Sequence, residues 1–147
     1  MPSLVSQFPA ALPADALAHF SHRLAFETDC SDVNHALQNG EQDFVLLDVR
    51  NAAAFARGHV PGALNLPTRE IDARRMAQFA PGTLFVVYCA GPHCNGVHRA
   101  AAKLAALGLP VKEMIGGVTG WLDEGLALVG VAGDSLLAGG ESISCAC

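Results

Sequence analysis

A chain of 147 residues, 51% hydrophobic and 16% charged, has the material for one core and is too short to expect two domains. The net charge of −5 and the lack of any basic stretch point away from nucleic acid, and no apolar run approaches a membrane-spanning length. Five cysteines, an odd number in a chain that can build its own core, argue against a disulfide framework and for thiol chemistry in a reducing compartment.

The amino terminus has no basic region before its apolar residues and is interrupted by Pro9 and Pro13, so it does not read as a secretory signal and a cytoplasmic location is expected. Leu17, Phe20 and Leu24 sit at helical spacing and predict an amphipathic helix. His19 and His22 lie on it at a spacing that suits a metal, but no cysteine or carboxylate pattern accompanies them and no metal is expected. A second helix is signalled by Thr28 or Asp29 as cap, Val33, Ala36 and Leu37 as buried face, and Asn39-Gly40 as stop. Residues 1–42 therefore read as a helical extension packing on the domain.

Residues 44–49 (FVLLDV) form the first clear strand, which delivers Asp48 and Arg50 to its carboxyl end. Asn51 caps a short helix closed by Gly58; residues 59–62 are turn chemistry, 63–66 a short strand, and Thr68 caps a helix running toward Phe79. The run at 84–88 (LFVVY) is β-branched and aromatic without alternation, which suits a central parallel strand buried on both faces. Ala100, Ala101, Lys103, Leu104 and Leu107 repeat at helical spacing in a helix stopped by Gly108 and Pro110, 111–115 form another strand, and Gly116-Gly117 opens a last helical turn through Trp121. Alternating strands and helices predict a parallel sheet covered on both faces. From 129 to 147 the chain is glycine-rich and without periodicity, and reads as a flexible tail carrying Cys145 and Cys147.

Cys89 falls at the carboxyl end of the central strand, the usual place for function in an open parallel sheet. A loop feeding a helix amino terminus aims backbone amides at one point and adds partial positive charge, and both stabilise a thiolate. The amides between Ala90 and Asn95 are the candidates. Asp48 and Arg50 flank one strand residue, which puts both side chains on one side of the strand, in position to brace the loop.

Three segments resemble the rhodanese-like sulfurtransferases over residues 43–128: LLDVRNAAAFARGHVPGALNLP (46–67), VVYCAGPHCNG (86–96) and GGVTGWLDEG (116–125). The resemblance implies a single α/β domain of three layers, with a five-stranded, mainly parallel sheet flanked by helices. It implies that Cys89 takes a sulfane sulfur as a persulfide and passes it to a thiol, cyanide or protein acceptor, with no cofactor, in a monomer or homodimer. The substrate loop would comprise Ala90, Gly91, Pro92, His93, Cys94 and Asn95, with Arg99 beyond it, and Asp48 and Arg50 would be structural. Family members commonly carry a cation inside this loop for thiosulfate. Here no fixed charge occurs before Arg99, and His93 and His98 are charged only when protonated. Weak thiosulfate use and a preference for persulfide or polysulfide donors are therefore expected.

Cys94, at the far end of the loop, is a candidate resolving thiol for Cys89, and the Cys145/Cys147 pair a candidate tethered sulfur acceptor or an inert end. Two further readings stand beside the sulfurtransferase. One is a rhodanese-fold binding or sulfur-carrier module. The other is phosphatase or arsenate reductase chemistry, which needs an arginine six positions after the cysteine; Cys89 has Asn95 there, and Arg99 follows Cys94 one position too early.

Overall fold

The computed structural model describes residues 1–130, 135–136 and 143–147. Helix α1 (Pro13–Phe26) opens on a proline, whose missing N–H is no loss in a first turn. Strand β1 (Glu27–Asp29) follows directly, and Asp29 caps α2 (Cys30–Asn39) by accepting the Asp32 amide at 2.8 Å. Then come β2 (Phe44–Asp48), α3 (Ala52–Arg57) capped by Asn51, β3 (Leu64–Asn65), a 3-10 turn (Thr68–Glu70) and α4 (Ala73–Met76). The central strand β4 (Leu84–Tyr88) leads through the cysteine loop into α5 (Gly96–Ala106), β5 (Val111–Ile115) and α6 (Gly117–Asp123). Two short strands, β6 (Leu128–Val129) and β7 (Ser135–Leu136), pair antiparallel outside the main sheet.

The main sheet has five strands in the order β1-β5-β4-β2-β3, all parallel. Strand alternation divides its core in two. Leu47, Phe85, Val87 and Cys89 face one side, with Val97, Ala100 and Leu104 of α5. Leu46, Val86 and Tyr88 face the other, with Cys30 and Val33 of α2 and Val118 and Trp121 of α6. Tyr88 and Cys89, adjacent in sequence, therefore lie on opposite faces.

Three expectations are corrected. The division at residue 43 falls inside the fold: β1 is the sheet's edge strand and α2 contributes buried Cys30 and Val33. A three-residue strand is too short to carry a pattern, and its residues Glu27, Thr28 and Asp29 resemble a helix cap region. Leu17, Phe20 and Leu24 are exposed and α1 buries no residue, so the buried part of the amino-terminal cover comes from α2, while α1 lies along the sheet edge, where Lys112 Nζ donates to the Leu24 carbonyl at 3.0 Å. The helix expected from Thr68 to Phe79 is broken in two because Asp72 accepts the Arg75 amide at 2.7 Å and starts α4 afresh.

At the carboxyl end of β2 a polar network fixes three chain segments. Arg50 donates through Nη2 to Asp48 Oδ2 at 2.7 Å and to the Gly58 carbonyl at 2.6 Å, and Tyr88 Oη donates to Asp48 Oδ2 at 2.8 Å. Tyr88 Oη in turn accepts the Val60 amide at 3.0 Å. Burial, reinforced by the Asp48 carboxylate, raises the Tyr88 phenol well above its usual range, so it remains a donor. Asp48 and Arg50 are almost wholly buried, and a buried cation without its carboxylate is costly. Asp48→Ala is expected to cost about 3–5 kcal/mol, read as a lowered midpoint in urea unfolding, with Asp48→Asn recovering part of the loss.

Candidate active site

Cys89 follows β4 without a gap and is buried at the mouth of the sheet. Its loop is held from behind by α6. The Val118 amide donates to the Cys89 carbonyl at 3.1 Å, the Thr119 amide to the Ala90 carbonyl at 2.9 Å, and Thr119 Oγ1 to the same carbonyl at 3.2 Å. This contact requires Gly117. Its φ is +55°, and a Cβ there would overlap the Cys89 carbonyl oxygen and sit 3.0 Å from the Gly91 nitrogen. The carbonyls of the loop are thus drawn toward α6. Within the loop, Cys94 N–H donates to the Gly91 carbonyl at 3.0 Å. The amides of Ala90, Gly91, His93 and Asn95 have no intramolecular acceptor among the described residues. Cys89 Sγ lies beside the first turn of α5, 3.3 Å from where a Gly96 Cβ would stand, so the positive end of a helix also faces it.

The other sequence candidates are placed as follows. Asp48 and Arg50 make no hydrogen bond to residues 90–95. They lie on the Tyr88 face and act one residue upstream, on Tyr88, and on the turn at Gly58. His98 Nε2 lies 2.7 Å from Glu113 Oε2, and His93 and Pro92 are exposed at the loop's tip. Arg99 lines a cavity of about 380 Å³ with Arg69, Asn51, Asn95, Cys145 and Cys147. Arg69 was not singled out from the sequence, because only the fold brings the 3-10 turn beside α5. His59 stacks on Phe55 with ring centroids 3.6 Å apart, and Trp121 is buried with Nε1 donating to the Ala127 carbonyl at 3.0 Å, so both are architectural.

The largest departure from the sequence reading is at the carboxyl end. Residues 131–134 and 137–142 of the tail lie outside the described residues, but 143–147 are folded onto the cysteine loop. Ile143 packs against both halves of the core, and the Asn51 amide donates to the Ala146 carbonyl at 2.8 Å. Cys89 is disulfide-bonded to Cys147, and Cys94 to Cys145. Four of the five cysteines are paired, against the expectation of free thiols, and Cys94 is not bonded to Cys89, although their sulfurs are 2.9 Å apart. The four sulfurs lie within 4.8 Å of one another. As thiolates they form a donor set that suits a thiophilic metal such as zinc; as two disulfides they offer no thiolate.

Comparison with known proteins identifies the fold. The family model for the Rhodanese-like domain matches residues 30–124. The chain belongs to this family. A protein named sulfurtransferase from Allochromatium vinosum is 32% identical over 108 residues, spanning 73% of this chain and 97% of the relative. A helix-turn-helix-type transcriptional regulator of Mycobacterium tuberculosis is 33% identical over 84 residues, and the chain spans 37% of that protein's length. The crystal structure of a Bacillus halodurans protein superposes with a TM-score of 0.79 at 35% identity, covering 83% of this chain and 89% of the other. As a rhodanese-like domain the chain places Cys89 after the central strand, and the family match begins at α2, in line with the structural limits rather than with residue 43. No helix among the described residues is long and apolar enough to cross a membrane.

Cys30, the remaining cysteine, is buried under α6, its Sγ 3.5 Å from the Ile115 carbonyl and 3.7 Å from that of Gly117. Burial, with Asp29 and Glu124 nearby, pushes its thiol up to about 11. After full reduction, iodoacetamide near neutral pH is expected to label the exposed Cys145 and Cys147 and to spare Cys30 until the fold is opened with denaturant. Because the folded state holds this proton more tightly, Cys30's contribution to stability is complete below the unfolded thiol's 9.0 and is lost as pH rises through about 11. Gly117→Ala is expected to cost about 1–3 kcal/mol from its left-handed backbone alone, and more from the overlap with the Cys89 carbonyl, read as a lowered thermal midpoint.

Proposed function

We propose that the reduced protein is a sulfurtransferase in which Cys89 is the nucleophile. The observation that carries this reading is the construction of the loop: α6 draws the Cys89 and Ala90 carbonyls backward, while the amides of Ala90, Gly91, His93 and Asn95 are left without acceptors among the described residues. A ring of free amides beside the amino terminus of α5 suits an anionic sulfur. The thiolate of Cys89 attacks the sulfane sulfur of a donor, an S–S bond forms on Sγ, and the donor's remaining group departs with the electron pair. An acceptor thiolate then attacks the terminal sulfur and Cys89 leaves as thiolate. Family membership and the sulfurtransferase name of a relative aligned over nearly its whole length support the same chemistry.

The cavity beside the cysteines favours a donor larger than thiosulfate. About 380 Å³, with Arg69 and Arg99 on its wall rather than inside the loop, suits a low-molecular-weight persulfide whose carboxylates reach the two guanidinium groups. The acceptor is a thiol, cyanide or a protein cysteine.

Reduced protein carrying Cys147→Ser, so that Cys89 has lost its disulfide partner, is expected to gain one sulfur atom from glutathione persulfide. Peptide mapping should place it on Cys89, with no gain in Cys89→Ser/Cys147→Ser. Arg99→Ala should raise KM for the persulfide several-fold while leaving kcat near its starting value, and thiosulfate should be the poorer donor by kcat/KM. Sulfur uptake independent of Cys89 would sink the assignment.

A further inference from the structure

The tail cysteines are not needed for sulfur transfer, yet the structure seats them on the nucleophile. We propose that this chain is also a sulfane-sulfur reductase: Cys147 resolves the Cys89 persulfide to release sulfide, and Cys94 with Cys145 forms a second dithiol that restores the first. The inference rests on the sulfurtransferase reading of Cys89 and adds the fate of the bound sulfur.

Four observations carry it. Cys147 Sγ is bonded directly to Cys89 Sγ, which is the product expected if Cys147 attacks the inner sulfur of a Cys89 persulfide. The tail is docked by its own contacts, through Ile143 in the core and the hydrogen bond from Asn51 to Ala146, so the pairing does not depend on the disulfides alone. The first residue of α5 makes room for it: at Gly96 a Cβ would overlap the Cys147 side chain. Finally, the second pair is within exchange distance of the first, with Cys94 Sγ 2.9 Å from Cys89 Sγ and 3.4 Å from Cys147 Sγ.

The steps balance without a further reactant. A low-molecular-weight persulfide RSSH gives its outer sulfur to Cys89 and leaves as RSH. Cys147 thiolate attacks Cys89 Sγ, the bond to the outer sulfur breaks, and sulfide departs with that electron pair. The sum is RSSH plus two cysteine thiols giving RSH, hydrogen sulfide and one disulfide; the sulfane sulfur is reduced and the two cysteines are oxidised. Cys94 thiolate then attacks Cys147 Sγ and frees Cys89, and Cys145 thiolate attacks Cys94 Sγ and frees Cys147. Cys89 and Cys147 are again thiols, and the Cys94–Cys145 disulfide holds the oxidation. A second persulfide closes Cys89–Cys147 once more, which is the doubly oxidised state seen in the structure. Cys145 and Cys147 are exposed whereas Cys89 and Cys94 are buried, so an external dithiol recharges the system from the tail side.

The test is a stoichiometry. Fully reduced protein, freed of reductant under anaerobic conditions with a chelator present, receives excess glutathione persulfide, and sulfide is counted against chains while disulfides are mapped by mass. Two sulfides per chain are expected from the natural sequence, matching its two disulfides, and one from Cys94→Ser, which retains only the Cys89–Cys147 pair. Cys145→Ser/Cys147→Ser is expected to keep its sulfur on Cys89 and to release at least about tenfold less sulfide. Undiminished release from that double variant, with a Cys89–Cys94 disulfide, would overturn the role of the tail while leaving sulfur transfer intact. A double variant that acquires no sulfur on Cys89 would overturn the sulfurtransferase reading and this inference with it.

Discussion

Everything at the active end of this sheet depends on one buried ion pair. Asp48 and Arg50 are taken out of water together, and the cost of doing so is offset by their mutual attraction and by further hydrogen bonds. Tyr88 and the Gly58 carbonyl supply these, and the tyrosine extends the set to Val60. The network thereby clamps β4 at the residue before Cys89. Because neighbouring strand residues face opposite ways, polar anchoring on one side of the sheet holds a thiol still on the other without placing a permanent charge against it.

A second clamp comes from α6. Two of its amides take the carbonyls of Cys89 and Ala90, and Gly117 permits the approach. The loop is thus fixed by its carbonyls, while the amides of Ala90, Gly91, His93 and Asn95 are left without acceptors among the described residues. The fixed cations stand on the cavity wall, at Arg69 and Arg99, instead of among the amides.

Much of this was legible in the residues. The unbroken apolar run at 84–88 marked the central strand, Asn51 and Asp29 marked helix starts, and the order of three motifs marked the family and the position of Cys89. What was not legible has physical causes. Strand β1 is too short for periodicity to register, and its identity is decided by pairing with β5, across most of the chain length. Asp48 and Arg50 were expected to brace the loop; their actual partners, Tyr88 and the Gly58 carbonyl, follow from strand pairing that spacing does not encode. The glycine-rich stretch after β6 carried no pattern, so the docking of 143–147 was hidden. The signal able to reveal it was chemical: a Cys-Ala-Cys sequence beyond a single Ile143, in a chain whose loop already held two thiols.

The two disulfides also alter the topology of the chain. They join residues 58 and 51 positions apart, so α5, β5 and α6 lie inside a covalent ring when the cysteines are oxidised and on an open chain when they are reduced. A ring of that size removes denatured-state freedom worth about 4 kcal/mol, the nested second link adding less. The oxidation state of the four cysteines is therefore also a setting of the molecule's durability: the oxidised form is the long-lived one, and the reduced form, with its carboxyl end held by noncovalent contacts alone, is the form more open to proteolysis.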